Sequence, residues 1–574
     1  MANSWQAIAA RKQQERTSRI PREWLLKEPP FTYAPNAINI PRRCGLLTEH
    51  ELSITENHDA TSLLVELSKG TLTSEQVVTA FSKRAAIAQQ VCNCLTEIFF
   101  EDAIARAKEL DAYLKKNGRP IGPLHGLPIS LKDGFKVRSY DASVGVAGLC
   151  FEPAATNSAL VDLLLSLGAV LYCKTNIPLT MMALDSHNNV FGRTLNPAHH
   201  ELTAGGSSGG EGALVAMRGS ILGVGTDVGG SIRIPAACNN LYGVKPSHGR
   251  IPFAGQEGGQ KPGSTKLGIE ATAGPIATTT RDCAMFMRVI ANGGPELFDP
   301  EVVAQGWDQL ALLNTKQKPL RVGIARGDGH VKPLPPIAKL MDDVAQTLRA
   351  APGQAIEVMD VDVSPILSRC LKTFNGIMSI DGANAWFDHM EVTGEPLSPW
   401  LQGRLTRRPQ KSLDEVRGLQ AARTELQTTF LNVWKESGGY WLTDASEAHI
   451  GDRTLDALIC PVAPHPIPPI DRWNTANYTA AFNLLDLSTG VVPVRAFDSQ
   501  DLQGDIPSDK PLNGWDKINR ELWTKVDKNV YLGSPLSVQV VTPRLTERRL
   551  VEAMGVIDAA LQPLRTSGRR ESRL

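Results

Sequence analysis

The sequence has no excess of either charge: 60 Lys and Arg balance 60 Asp and Glu over 574 residues. It also has no basic tract interleaved with aromatics, which argues against a nucleic-acid partner. Long apolar runs are missing. The longest, residues 160–172, is interrupted by Asp162 and Gly168 and is too short to cross a bilayer. The first residues, MANSWQAIAARKQQERTSR, contain no apolar stretch of the kind a secretory signal needs. The nine cysteines are odd in number and scattered. Cys92 and Cys94 find no second pair and no nearby histidine pair, so neither zinc nor a disulfide framework is expected, and buried reduced thiols are. No Gly-Lys pair occurs, which excludes a P-loop. Gly223-Val224-Gly225 has Val228 where a dinucleotide loop needs its third glycine.

What the chain does have is concentrated in residues 203–235, TAGGSSGGEGALVAMRGSILGVGTDVGGSIRIP. Two serine sites are set among glycines: Ser207 and Ser208 in GGSSGG, and Ser231 in GTDVGGSIR. Glycine permits sharp backbone turns and close approach, so such a serine can present its hydroxyl. The amides of Val228, Gly229, Gly230 and Ser231 can converge on one point, as a tetrahedral oxyanion requires. Upstream, GLPISLKD is a short apolar strand closing on Lys132. A buried lysine is costly unless paired or neutral, and burial makes it a base near neutral pH. Each feature has a plain alternative: a helix-capping serine, or a surface lysine at a strand end. Their coincidence favours chemistry, because an active serine needs a base within a relay. GGSSG also fits the nucleophile elbow of α/β-hydrolases, but that reading leaves Lys132 and Ser231 unused.

With Lys132, Ser207 and Ser231 separated by 75 and then 24 residues, the chain resembles the amidase signature family, and its acetamidase-like fungal branch in particular. The likeness runs from IPREWLL through GPLHGLPISLKD, NNVFGRTLNP and LYGVKPSHGR to GSPLSVQVV. It implies one large α/β domain with inserts, and the alternation of strand and helix along the chain argues for a large, mixed, mostly parallel twisted sheet covered by helices on both faces. The likeness implies Ser231 as nucleophile, Ser207 as relay after a cis Gly206–Ser207 bond, and Lys132 as base. Val228, Gly229, Gly230 and Ser207, with Met181, are then expected around the reacting carbonyl. Ser208, Asp227 and Arg233 are expected to hold the loop, and Asp133 to be structural. Such an enzyme cleaves a carboxylic amide through a serine acyl-enzyme and needs no cofactor and no metal. An amidotransferase-type subunit acting with a partner, a specialised-pathway amidase with a larger substrate, and a silent scaffold are the alternatives.

Periodicity places helices over 59–68, 74–92 and about 101–116, the second opened by a Thr73/Gln76 capping box and the third stopped by Gly118. Strands are expected over 127–131, 169–173, 221–224, 321–325, 356–361, 456–461 and 533–541, with helices over 158–167, 211–217, 232–237, 337–348 and 547–561. Residues 274–276 are expected to turn near the site, 252–272 and 498–528 to be surface loops, and 366–450 a helical cover. The domain reading is an arm over 1–60, the catalytic domain over 61–565 with its core at about 120–290, and a tail over 566–574. The last residues, Ser572-Arg573-Leu574, form a basic variant of the Ser-Lys-Leu address read by the peroxisomal import receptor. The cytoplasm is the location expected otherwise. A small-molecule amide is the expected partner, and the sequence leaves room for a homodimer.

Overall fold

In the computed structural model, residues 4–28, 36–261, 263–310, 319–351, 356–436, 455–472 and 475–565 are described. The C-terminal Ser572-Arg573-Leu574 and the last part of the expected helical cover lie outside them.

Eleven strands form one sheet. In spatial order they are Leu95–Ile98, Val170–Thr175, Pro128–Lys132, Leu222–Asp227, Thr272–Ala277, Tyr242–Lys245, Ser488–Ala496, Pro535–Thr542, Ala457–Pro461, Leu320–Ile324 and Ile356–Asp360. Helices pack on it and most of its strands are buried, the edge strand Ile356–Asp360 excepted, as the α/β reading requires. The sheet is mixed, but the expected parallel majority is wrong. Four pairings are parallel and six antiparallel. The parallel pairs sit in two wings, where strand–helix alternation supplies crossover connections. Between the wings the chain returns through loops. The described residues of 246–271 carry no helix longer than the three-residue turn Ser264–Lys266, and Thr272–Ala277 comes back antiparallel to both its neighbours.

Local sequence sets the helix limits. Thr73 and Gln76 exchange the expected capping bonds, Gln76 N–H to Thr73 Oγ1 at 3.1 Å and Thr73 N–H to Gln76 Oε1 at 3.0 Å. They open the helix Ser74–Cys92, whose Val77, Val78, Phe81 and Ala85 are buried. The helix Phe100–Asn117 ends at Gly118 in the left-handed region. Two expectations fail. Residues 274–276 lie inside a strand rather than a turn, with Gly274 opposite Gly225. The stretch 498–528 contains the amphipathic helix Gly514–Thr524, which buries Leu522 and Trp523.

The N-terminal helix Trp5–Ser18 packs on the edge strand Leu95–Ile98. The helices Ser364–Met378, Asn384–Thr393 and Leu413–Glu436 form the described part of the cover.

Candidate active site

The site forms at the carboxyl ends of two parallel neighbours, Pro128–Lys132 and Leu222–Asp227, paired through Ser130↔Gly223 and Leu131↔Val224. Lys132 ends the first strand and Thr226-Asp227 the second, so the register brings them side by side. Ligand sites in open sheets commonly occupy such edges.

Lys132 is 1% exposed. Its Nζ donates to Ser207 Oγ at 2.7 Å and to Thr226 Oγ1 at 2.8 Å. Burial pushes its pKa down to about 7, against a weaker upward pull from Asp227 and Glu211. Ser207 follows a cis peptide bond from Gly206. Ser208 N–H donates to the Ser231 carbonyl at 3.2 Å, joining the two serine segments. Ser231 is 6% exposed, and its hydroxyl has no hydrogen-bond partner among the described residues.

Asp227 shapes the turn carrying Ser231. Its carboxylate accepts from Gly230 N–H at 2.8 Å and Ile232 N–H at 3.0 Å. Arg233 forks onto the same group, Nε to Oδ2 at 3.1 Å and Nη2 to Oδ1 at 3.0 Å. Both side chains are fully buried. Burial alone would raise the Asp227 pKa, but the Arg233 guanidinium outweighs it and holds the carboxyl well below the usual range. Asn483 Nδ2 adds a bond to Asp227 at 2.9 Å, and Arg233 continues to Gln539 Oε1 at 3.1 Å. The turn is thus tied to residues more than 240 positions away. Ser208 is tied to the strand end by a weaker bond, its Oγ 3.4 Å from the Thr226 carbonyl.

This geometry changes the oxyanion reading. The Gly230 amide is committed to Asp227. The amides of Val228, Gly229 and Ser231 have no acceptor among the described residues. Gly230 cannot be replaced easily: its φ is +131°, and a Cβ there would lie 2.3 Å from Thr479 Oγ1. Thr479 in turn donates to the Gly229 carbonyl at 2.6 Å.

Met181 is half-buried in an apolar cluster with Val144, Ile177, Leu179, Trp386 and Met390, so it joins the core wall to the cover. Phe374 reaches the turn that carries Ser231, with Cζ 3.1 Å from where a Gly229 side chain would start. The 252–272 loop folds over the strand end, Glu257 N–H donating to the Gly134 carbonyl at 2.9 Å.

The sequence alone did not flag Thr226, Glu211, Phe374, Asn483 or Gln539. Glu211 is fully buried and accepts from Ser130 Oγ at 2.5 Å and Thr175 Oγ1 at 2.9 Å. Burial raises its pKa to about 8. A signal was available for Glu211, a carboxylate on an otherwise apolar short helix. Thr226 stands beside Asp227 inside the GTDVGGSIR motif, where its hydroxyl was a signal passed over, whereas Phe374, Asn483 and Gln539 arrive from distant segments. Asp133 accepts from Thr96 Oγ1 at 2.6 Å and Val144 N–H at 2.7 Å and braces the loop behind Lys132, as expected.

A family model described as Amidase matches residues 76–551. An acetamidase of Aspergillus oryzae is 36% identical over 557 residues, covering 95% of this chain and 97% of that protein. An acetamidase of Emericella nidulans is 35% identical, covering 96% and 97%. Among solved structures, a fatty acid amide hydrolase superposes with a TM-score of 0.84 at 27% identity, covering 96% of this chain and 94% of that one. With that agreement over nearly the whole length, the chain belongs to the amidase signature family and is an amidohydrolase acting on carbon–nitrogen bonds of linear amides.

Proposed function

We propose that this enzyme hydrolyses a carboxylic amide to carboxylate and ammonia or amine through a serine acyl-enzyme, with Ser231 as nucleophile, Ser207 as relay and Lys132 as base. The observation that carries it is the 2.7 Å bond from a buried lysine to Ser207, beside a turn that presents Ser231. In this reading Ser231 Oγ attacks the carbonyl carbon and its proton passes through Ser207 to neutral Lys132. The oxyanion is held by the amides of Val228, Gly229 and Ser231. The proton returns by the same route to the leaving nitrogen. The C–N bond breaks, and water then attacks the ester with the relay reversed.

The substrate proposed is a primary amide with a short apolar acyl group. Phe374 and Val228 present apolar surface beside the oxyanion turn, and two extensive relatives are named acetamidases. The test is ammonia release from short aliphatic, aryl and long-chain amides by the wild type, Ser231→Ala and Lys132→Ala. Release lost in both variants supports the relay. Release that survives Ser231→Ala removes the nucleophile. Fluorophosphonate labelling of Ser231 without any amide turnover would mean a larger substrate or a missing partner.

A further inference from the structure

The helix Trp5–Ser18 lies outside the residues that the family model matches, and the sequence reading made it an arm. Its side chains enter the catalytic core. Lys12 is 2% exposed, and its Nζ lies 2.5 Å from Glu97 Oε1, 2.7 Å from Asp141 Oδ2 and 3.0 Å from Glu15 Oε2. Arg16 Nη1 donates to the Leu95 carbonyl at 2.7 Å, and Arg19 Nη1 to Glu97 Oε2 at 2.8 Å. Apart from the Lys12–Glu15 pair within the helix, these contacts reach the edge strand Leu95–Ile98 or the loop after Lys132.

From there a buried chain of groups runs to the base. Thr96, on the same strand, donates to Asp133 at 2.6 Å. Lys174 is fully buried, donates to the Asp141 carbonyl and lies 3.7 Å from Asp133 Oδ1. Asp133 follows Lys132 directly, and its N–H donates to the Thr175 carbonyl at 3.2 Å. Three buried carboxylates, Glu97, Asp141 and Asp133, therefore share Lys12, Lys174 and, at the rim, Arg19. Lys12 is the one cation within ion-pair distance of the Asp141 carboxylate among the described residues.

We propose that Lys12 is a positioning residue for Lys132: its charge between Glu97 and Asp141 keeps Lys174 on Asp133 and so fixes the strand end that carries the base. This rests on Lys132 being the base. An unneutralised buried carboxylate draws the nearest cation. Without Lys12, Lys174 shifts toward the Asp141 carboxylate, the Asp133 brace loosens, and Lys132 Nζ loses its 2.7 Å approach to Ser207. Substrate surfaces are untouched, so the loss falls on turnover. Misplacement of reacting groups by about 1 Å costs up to about 100-fold in rate.

The test compares full-length Lys12→Met, Lys12→Arg and Gln13→Ala on a hydrolysed amide, each assayed well below its own melting temperature. Gln13→Ala removes a docking bond of the same helix, Gln13 Nε2 to the Val190 carbonyl at 2.6 Å, without touching the ion chain. Lys12→Met is expected to lower kcat about tenfold or more with KM nearly unchanged, and Lys12→Arg to recover most of it. Gln13→Ala keeps the wild-type kcat even if it melts earlier. A folded Lys12→Met with wild-type kcat overturns the proposal, and so does an equal kcat loss in Gln13→Ala. If Lys12→Met does not fold, Thr96→Val takes its place, since it cuts the bond to Asp133 and keeps every ion pair. Unchanged kcat there also overturns it. Activity surviving in Lys132→Ala would instead sink the relay itself, whatever Lys12 does.

Discussion

The buried lysine makes a quantitative claim about pH. Lys132 is held at about 7 rather than 10.5, chiefly because burial removes the ammonium from water. The difference corresponds to about 5 kcal/mol. If Lys132 is the base, kcat/KM should follow its neutral fraction: about half at pH 7, about a tenth at pH 6 and about 1% at pH 5. The expected profile has a slope of about one per pH unit below neutrality and levels off above about pH 8. An ordinary lysine would keep the rate climbing to about pH 10. Stability must move with the same group. The unfolded chain binds more protons than the native one between pH 7 and 10.5, so Lys132 costs stability fully below 7 and ever less as pH rises to 10.5. A Lys132→Met variant should therefore be inactive yet more stable than wild type at pH 6, with the gap closing toward pH 10. Ammonia release from pH 5 to 10, beside urea unfolding of both proteins at pH 6 and 9, measures both effects. A rate independent of pH between 5 and 8, or a Lys132→Met variant less stable than wild type at pH 6, would refute the reasoning.

Ser207→Ala should fold normally and lose about 10²–10⁴ in kcat, the usual range for a proton-transfer group, as ammonia release would show. Asp227→Asn leaves Arg233 buried without its counter-ion and should cost about 3–5 kcal/mol of unfolding free energy in urea. The wild-type contribution of Asp227 is complete above the unfolded carboxyl pKa and is lost as pH falls through its lower folded value. Gly229→Ala pushes a methyl against Phe374 at 3.1 Å. It should lower kcat, and the Gly229→Ala/Phe374→Ala double variant should regain part of it. A double variant no better than the single would place the damage in the turn itself. Glu211→Gln removes a carboxyl that pulls the Lys132 pKa upward, so the acid limb of the profile should move down or stay. A move upward contradicts that electrostatic reading.

Much of the site was legible because its parts are short and locally encoded. Glycine is needed where Ser231 turns, and the apolar strand before Lys132 declares its burial. The segment 127–176 showed strand–helix–strand alternation and folded as a parallel pair. The error came from extending that alternation across the chain. Parallel and antiparallel strands have the same side-chain period, so the residues 488–496 and 535–542 do not state which way they run. The Ser231 turn illustrates the same limit. The sequence supplied four candidate amides, but Asp227 takes the one at Gly230, a choice made by the carboxylate's rotamer and its pairing with Arg233.

The sequence by itself determined much of the local backbone and the chemical inventory: where glycines let the chain turn, which serines and which lysine stand at the turns, and where capped helices such as Ser74–Cys92 and Phe100–Asn117 begin and end. These depend on contacts within a few residues. The tertiary structure decided the direction of the central strands and the buried tuning of Lys132. It also decided the arrival of Phe374, Asn483 and Gln539 at the Ser231 turn and the docking of Lys12 on Glu97 and Asp141. Each of those depends on desolvation or on charges brought together from positions tens to hundreds of residues apart, and no short window of sequence contains both partners.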